Sequence, residues 1–461
     1  MKKIAVLILT LCVLMVIAGC GNDSAGNENN TGEAEPETTS VLENETTKTA
    51  ETTTIQTEQT TEGITGETET KENETEENET EVKILEVNKK ELYKSEWSEE
   101  YGVNLAKLDC STVCLGTEDA KRYPELARVL SEASNIYETN MLEENNTFIE
   151  SAKESLSTGT EGFNTLVNSL NVHVRRADNI ALSILYDSYY YNGMNEGIRS
   201  FWGGNYDTKT GKEIYLPDVV TDIDKFAKIV ETELFETMGN DVFYNDKIIE
   251  EYFKEYGTDG NHWSLEYNGI TVYFDEGEIA NSGVGVISVT IEFSEHRDIF
   301  VEKYINVPET YIVGLPMKTT FITELDNDGK NDELTLNDSY DEEFAWKATL
   351  YISTADVDYV GSFWAYGCEP YYVKTADDRN YLYVFIELET HMELYVYKVT
   401  NETISKVGQK QVSPFYKDII LSVPTDPDSM HFDIFDAESG GGIAEGDDFF
   451  SVGADGMPAQ K

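Results

Sequence analysis

The sequence predicts an α+β domain, an antiparallel sheet with packed helices, followed by an all-β domain of propeller-blade-like strands. Three observations carry that expectation. Apolar residues recur at helical spacing after Pro124 and again over residues 222–238. Around those stretches the period changes to runs rich in Ile, Val, Leu and Tyr, which read as strands. From about Met317 onward only short alternating strands and polar turns remain. Helices and antiparallel strands that segregate in this way define the α+β class.

Charge narrows the function. The chain has 461 residues, with 34 Lys+Arg against 88 Asp+Glu and a formal charge of -54. Nucleic acid is excluded as a natural partner, because phosphate binding needs a basic face. Electrostatic adhesion to anionic lipid is disfavoured for the same reason. An apolar content of 40%, with 28 Tyr, is enough to build a core.

The N-terminal elements give an address. Met1-Lys2-Lys3 is a basic start, and residues 4–17 are almost wholly apolar, short for a membrane span and proportioned like a secretory signal. The block Ile17-Ala18-Gly19-Cys20 resembles a bacterial lipobox. That resemblance implies a signal peptide over 1–19 and diacylglycerol on the Cys20 thiol. The mature chain is then anchored on the extracytoplasmic face of a bacterial cell membrane. Two acyl chains suffice for stable anchoring where one does not. Residues 20–82 follow as lipid anchor and tether. Positions 21–82 hold 17 Thr and 17 Glu with 18 acids against 2 bases, a composition expected to stay disordered and extended. Fully stretched, this tether reaches roughly 200 Å.

The α+β unit is placed at 83–310. Its first helix starts at Pro124, with Leu126, Val129, Leu130, Ala133, Ile136 and Tyr137 as the apolar stripe. Strands follow over 171–176, 180–191 and 198–206. Asp207-Thr208-Lys209-Thr210-Gly211-Lys212 is a turn in which Gly211 supplies the positive φ. A short strand at 213–216, an amphipathic helix at 222–238 and strands at 264–274 and 284–293 close the unit. The all-β unit, 317–461, carries strands at 344–353, 357–366, 371–375, 381–387, 394–398 and 404–410. Cys110, Cys114 and Cys368 are expected as reduced, partly buried thiols: if the Cys110 segment is extended, two residues four apart on a strand lie about 13 Å apart, too far for a disulfide, whereas a helical turn or loop there leaves the question open. The five histidines stand singly, and no zinc, hydrolase or nucleophile-elbow motif occurs.

Three stretches resemble a known extracellular domain: Val174-Arg175-Arg176-Ala177-Asp178 with Tyr189-Tyr190-Tyr191-Asn192-Gly193, then Asn205 through Asp218, then Tyr273 through Gly285. They are similar to the domain shared by RsiV-type anti-sigma factors and PdaC-type peptidoglycan deacetylases, over roughly 110–300. Many members carry Gly-Gly-x-His where this chain reads Asn192-Gly193-Met194-Asn195. The resemblance implies recognition, of a lysozyme in one case, and brings no activity with it. The β unit looks like blades of the FG-GAP and VCBS kind.

One motif carries chemistry. Glu324-Leu325-Asp326-Asn327-Asp328-Gly329-Lys330-Asn331-Asp332 places carboxylates at alternate positions before a glycine, a pattern that wraps a hard cation in oxygen ligands. Calcium is the expected ion. The side chains of Glu324, Asp326, Asp328 and Asp332 and the main-chain carbonyl of Lys330 are the expected ligands. The loop fails as an EF-hand, since Thr335 stands where a bidentate Glu is needed and strands flank it. It resembles the calcium loop of FG-GAP blades.

The functional expectation is a membrane-anchored surface lipoprotein, non-catalytic, that binds a cationic protein such as a lysozyme-like enzyme, or cell-wall peptidoglycan. The alternative is a hydrolase of wall polymer that uses an Asp/Glu pair, although acids are too plentiful to select one. A transporter-type solute-binding lipoprotein would show alternating βα units, which are not seen. Replacing Cys20→Ala should abolish acyl labelling and leave the protein unprocessed or shed into the medium. A mature wild-type N-terminus other than Cys20, or one without lipid by mass spectrometry, would refute the anchor.

Overall fold

A buried ion pair explains the first strand. The computed structural model describes residues 82–159, 162–193, 197–256, 260–326, 328–341, 347–389, 391–412, 420–431 and 449–461. The predicted signal peptide, Cys20 and the tether up to Glu81 lie outside the described residues, as do Met194, Asn195 and Asn327. β1 (Val87–Ser98) pairs antiparallel with β2 (Val103–Leu115). Both escaped the sequence reading. Lys89 and Glu91 occupy buried positions of β1 beside Val87, so its inward face lacks the usual apolar alternation. Lys89 pairs with Glu91 at 2.8 Å and with Glu369 at 2.5 Å.

α1 (Thr117–Arg122) and α2 (Pro124–Thr158) then carry the chain back across the sheet. β3 (Leu166–Ala177) returns beside β2 in parallel, with Ala106 opposite Leu166. The expected purely antiparallel sheet is therefore mixed, because a crossover of this length is what a parallel neighbour requires. α2 buries Leu126, Leu130, Met141, Phe148, Ala152 and Leu156. Of the predicted stripe, Ile136 is 37% exposed, whereas Tyr137 packs on Tyr186 with ring centroids 4.9 Å apart.

β4 (Ala181–Tyr191) and β5 (Ile198–Asp207) complete this side of the sheet. The turn after β5 matches the expectation. Gly211 has φ +63, and a Cβ there would come within 2.8 Å of the Glu125 and Leu126 backbone. The short strand expected at 213–216 is reduced to a single bridge, Tyr206 to Glu213. α3 (Leu216–Val219) begins there instead, with Pro217 in its first turn and the Asp218 carboxylate accepting the Tyr215 N–H at 2.9 Å. α4 (Ile223–Met238) is capped by Asp222 and buries Phe226, Val230 and Leu234, as its periodicity predicts. α5 (Ile248–Glu255) follows.

The strand expected over 264–274 is a hairpin of β6 (Trp263–Leu265) and β7 (Gly269–Phe274), and β8 (Ile287–Glu292) adds to β7. Glu266 stands at the hairpin turn, its N–H donating to the Gly269 carbonyl at 2.9 Å and its carboxylate accepting from Arg175. α6 (Glu302–Ile305) and β9 (Tyr311–Gly314) lead into the C-terminal strands.

β10 (Thr319–Thr323), β11 (Asp332–Tyr340), β12 (Lys347–Ser353) and β13 (Asp358–Trp364) form one meander. β14 (Gly367–Lys374), β15 (Asn380–Glu387), β16 (Met392–Val399) and β17 (Ile404–Val412) form a second, with β9 on the free edge of β14. β18 (Ile420–Val423) pairs with β1. β19 (Met430–His431), β20 (Phe449–Val452) and β21 (Pro458–Gln460) make a small sheet. The architecture is thus α+β followed by a β-rich region. Its sheets are open and none of the described ones closes on itself, and nothing in their order marks them specifically as a propeller.

The second meander is buried on both faces. Tyr372, Leu382, Val384 and Ile386 pack with Leu334, Leu350 and Ile352 of the first meander. Tyr371, Val373, Tyr381 and Tyr383 share a core with Val87, Leu108 and Val174 of the six-stranded sheet. All three described cysteines are free thiols, and burial pushes Cys110 up to about 12. Among the described residues no helix is long and apolar enough to cross a membrane.

Arg175 and Arg176 knit the parts together. Arg175 forks onto Glu266 and donates to the Gly314 carbonyl of β9. Arg176, fully buried, pairs with Asp178 at 2.8 Å and donates to the carbonyls of Tyr304 and Asn306. Removing one partner of a buried pair strands the other charge, so Asp178→Ala should lower unfolding free energy by about 3–5 kcal/mol. Denaturant melts that place the loss below about 1 kcal/mol would show the pair to be dispensable.

Candidate functional site

The acidic loop closes the hairpin between β10 and β11, where Thr323 stands opposite Asp332. Its backbone N–H groups turn inward onto its own carboxylates. Glu324 accepts from the N–H of Asp328 at 3.1 Å and of Gly329 at 2.8 Å. Asp326 accepts from Asp328 N–H at 3.1 Å, and Asp332 accepts from Leu325 N–H at 2.9 Å. Gly329 has φ +85, a left-handed conformation that glycine adopts without strain and that lets the chain reverse here.

Glu324, Asp326 and Asp332 each bring a carboxylate oxygen to within 4.8 Å of the other two. Three of the four predicted side-chain ligands therefore converge. Asp328 is not in that group; its carboxylate accepts the Lys330 N–H at 2.8 Å. Burial raises the Asp332 carboxyl, and the charges of Asp326, Glu324 and Asp328 add to the rise against the opposing Leu325 N–H. Oxygen donors alone make this a set for a hard cation.

Outside groups hold the loop. The Asn380 side-chain amide of β15 donates to the carbonyls of Glu324 and Leu325, both at 3.2 Å. The Asn331 amide donates to Glu292 of β8 at 2.6 Å. Leu325 is buried in the core between the two meanders.

Two further groups of possible ligands went unread in the sequence. Glu233, Glu295 and His296 converge on the surface between α4 and the segment after β8. His262, Asp275 and Glu278 converge at one end of the β6–β7 hairpin. A lone histidine and acids spaced without a motif give no sequence signal. Tertiary packing assembles both: a helix against the segment after β8 for the first, strand pairing for the second.

No family model matches the sequence, and no curated protein matches it. Solved structures similar to it include a DUF3298 family member from Bacteroides fragilis, at 14% identity and TM-score 0.34, covering 48% of this chain and 95% of that one. Another is a DUF3298 family protein from Pseudomonas aeruginosa, at 14% identity and TM-score 0.33, covering 48% of this chain and 97% of that one. Similarity at this level carries no argument about activity.

Proposed function

We propose that this chain is a cell-surface lipoprotein, anchored through Cys20, whose folded part is a non-catalytic recognition module for a cationic protein of the lysozyme kind. The observation that carries the reading is charge: residues 83–461 hold 70 acids against 30 bases, so the excess belongs to the folded part as well as to the tether. A field of one sign speeds encounter with a basic partner and makes the complex salt-sensitive. The RsiV-like stretches point the same way.

A second reading, a wall-glycan ligand, is favoured by the solvent face of the first meander. Tyr351 stands opposite Val360 and Lys347 opposite Trp364, and Tyr351, Val360 and Trp364 are all exposed. Thr349 and Ser362 lie between them in register. Aromatic faces set among hydroxyls suit stacking on sugar rings, and exposed apolar patches of this kind mark binding surfaces.

The acidic loop is assigned as a structural calcium site, with Glu324, Asp326 and Asp332 as the converged ligands and Asp328 and the Lys330 carbonyl as the remaining candidates. An extracellular protein meets enough calcium to fill a weak site. The site would pin β10 to β11 and take no part in catalysis.

Two measurements test these readings. The full mature chain should bind a lysozyme at low ionic strength and release it as salt rises. Absence of binding at low salt would remove the cationic-protein reading, and sedimentation with purified peptidoglycan would then decide the glycan one. Calcium at a hundredfold excess over its dissociation constant should stabilise the fold by about 2.7 kcal/mol and raise Tm accordingly. Asp326→Asn should erase that rise. A melting curve indifferent to calcium and chelator alike would reduce the loop to an acidic turn.

A further inference from the structure

The β6–β7 hairpin builds a second, chemically different cluster. Trp263 stands opposite Val272, and the Tyr273 N–H donates to the His262 carbonyl at 2.9 Å. His262, just before β6, and the residues just after β7 therefore meet at the same end of the hairpin. Asp275 is held from outside: one carboxylate oxygen accepts the Phe201 N–H of β5 at 2.9 Å, and the Ser200 side chain also bonds to it. Glu278 is held by Asp275, whose N–H its carboxylate accepts at 2.7 Å. A ring nitrogen of His262 and one oxygen from each acid lie within 4.8 Å of one another, and all three residues are half-buried.

Independent observations at the same place point to a ligand. His262 Nδ1 and the Tyr252 hydroxyl are buried and have no hydrogen-bond partner. Buried polar groups are nearly always satisfied, so an orphan calls for an explanation. Tyr252 is only 8% exposed, and its ring meets the His262 ring edge-on at 6.4 Å. Burial raises the Tyr252 phenol, and the charges of Glu278 and Asp275 raise it further, so its hydroxyl lies within their field. Among the described residues no lysine or arginine pairs with either acid.

We propose that His262, Asp275 and Glu278 bind one divalent transition-metal ion of the zinc class, with the Tyr252 hydroxyl beside it. The donor set selects the ion. An imidazole with two carboxylates suits zinc and its neighbours, whereas calcium and magnesium take oxygen ligands. Zinc–ligand distances of about 2.0–2.2 Å put any two ligands within about 4.4 Å of each other, so a spacing within 4.8 Å suits one shared ion. Asp275 and Glu278 are already oriented by backbone N–H groups, which is the support that metal ligands ordinarily receive. Three protein ligands leave a position for water, and Tyr252 is placed to hydrogen-bond it. The acidic loop at Glu324–Asp332, all oxygen, is a different site for a different ion.

The test uses the untagged full chain, freed of metal by chelator and held in excess calcium to saturate the acidic loop and the surface carboxylates. Zinc is titrated in competition with a chromophoric chelator, and cobalt is titrated while its visible absorption is recorded. One zinc per chain is expected to bind tightly enough to compete. His262→Gln should weaken it at least about tenfold and change the cobalt spectrum, as expected on loss of a metal ligand. Asp326→Asn should leave both unchanged. Glu278→Gln serves as the second variant should His262→Gln fail to melt like wild type. Wild-type protein that takes up no stoichiometric zinc overturns the proposal. So does zinc binding that survives both folded variants, or that is lost in His296→Gln instead, since the ion would then sit with Glu233 and Glu295.

Discussion

Two consecutive arginines on β3 are the constraint on which the rest of the structure depends. In a regular strand, neighbouring side chains point to opposite faces, so two buried arginines in a row should be impossible on one side. The register of β3 on β4 shifts between Val174 and Arg176, and this bulge lets both side chains reach partners beyond the sheet. Each guanidinium is fully engaged. Arg175 uses Nε and Nη2 on Glu266 and Nη1 on Gly314. Arg176 uses Nε on Asp178, Nη1 on Tyr304 and Nη2 on Asn306. Burying such charges is costly, and apolar replacements often do as well for stability. What the arginines supply is position: their planar forks fix α6, the β6–β7 turn and the end of β9 relative to one strand.

That positioning reaches the candidate site. Glu266 also accepts from Ser264 and Thr271, so the hairpin carrying it is held rigidly below the His262 cluster. On the other side, Arg175 lies 5.3 Å from the centre of the Phe321 ring of β10, the strand that enters the acidic loop. Asn380 and Asn331 then hold the loop from β15 and toward β8. Both acid clusters therefore hang from one buried ionic centre.

What the sequence disclosed follows from where local pattern and tertiary demand agree. The helix at Ile223–Met238 was legible because its Asp222 cap and its apolar stripe say the same thing. The turn at Gly211 and the acidic loop were legible because their backbone chemistry is local. β1 was hidden because Lys89 and Glu91 take core positions, and Lys89, paired with Glu91, finds its second partner at Glu369, far along the chain. Strand structure over 264–274 was legible, but the bounds of β6 and β7 within it were not, because Trp263 to Leu265 and Gly269 to Phe274 are buried throughout, which erases alternation. The parallel pairing of β2 with β3 and the return of β18 to β1 are long-range choices that no local period records. The His262 cluster is hidden for the same reason.

The buried and half-buried carboxylates divide by what faces them. Burial alone would raise Glu369, yet the Lys89 ammonium outweighs it and holds the carboxyl below its ordinary value. Burial is likewise overcome at Asp187, by Arg199 and then His173. These depressed groups contribute stability above the ordinary carboxyl pKa, and it is lost as pH falls through their folded-state values. Asp275, Glu278 and Asp332 go the other way: burial raises each, and among the described residues no lysine or arginine pairs with any of them. For these groups stability is lost as pH rises from the ordinary carboxyl range through their elevated values, since ionisation is harder in the fold than in the unfolded chain. Where the chain needed permanent neutralisation it placed its own bases, at Lys89, Arg175, Arg176 and Arg199. At the two hairpin ends carboxylate and imidazole groups converge without such a base among the described residues.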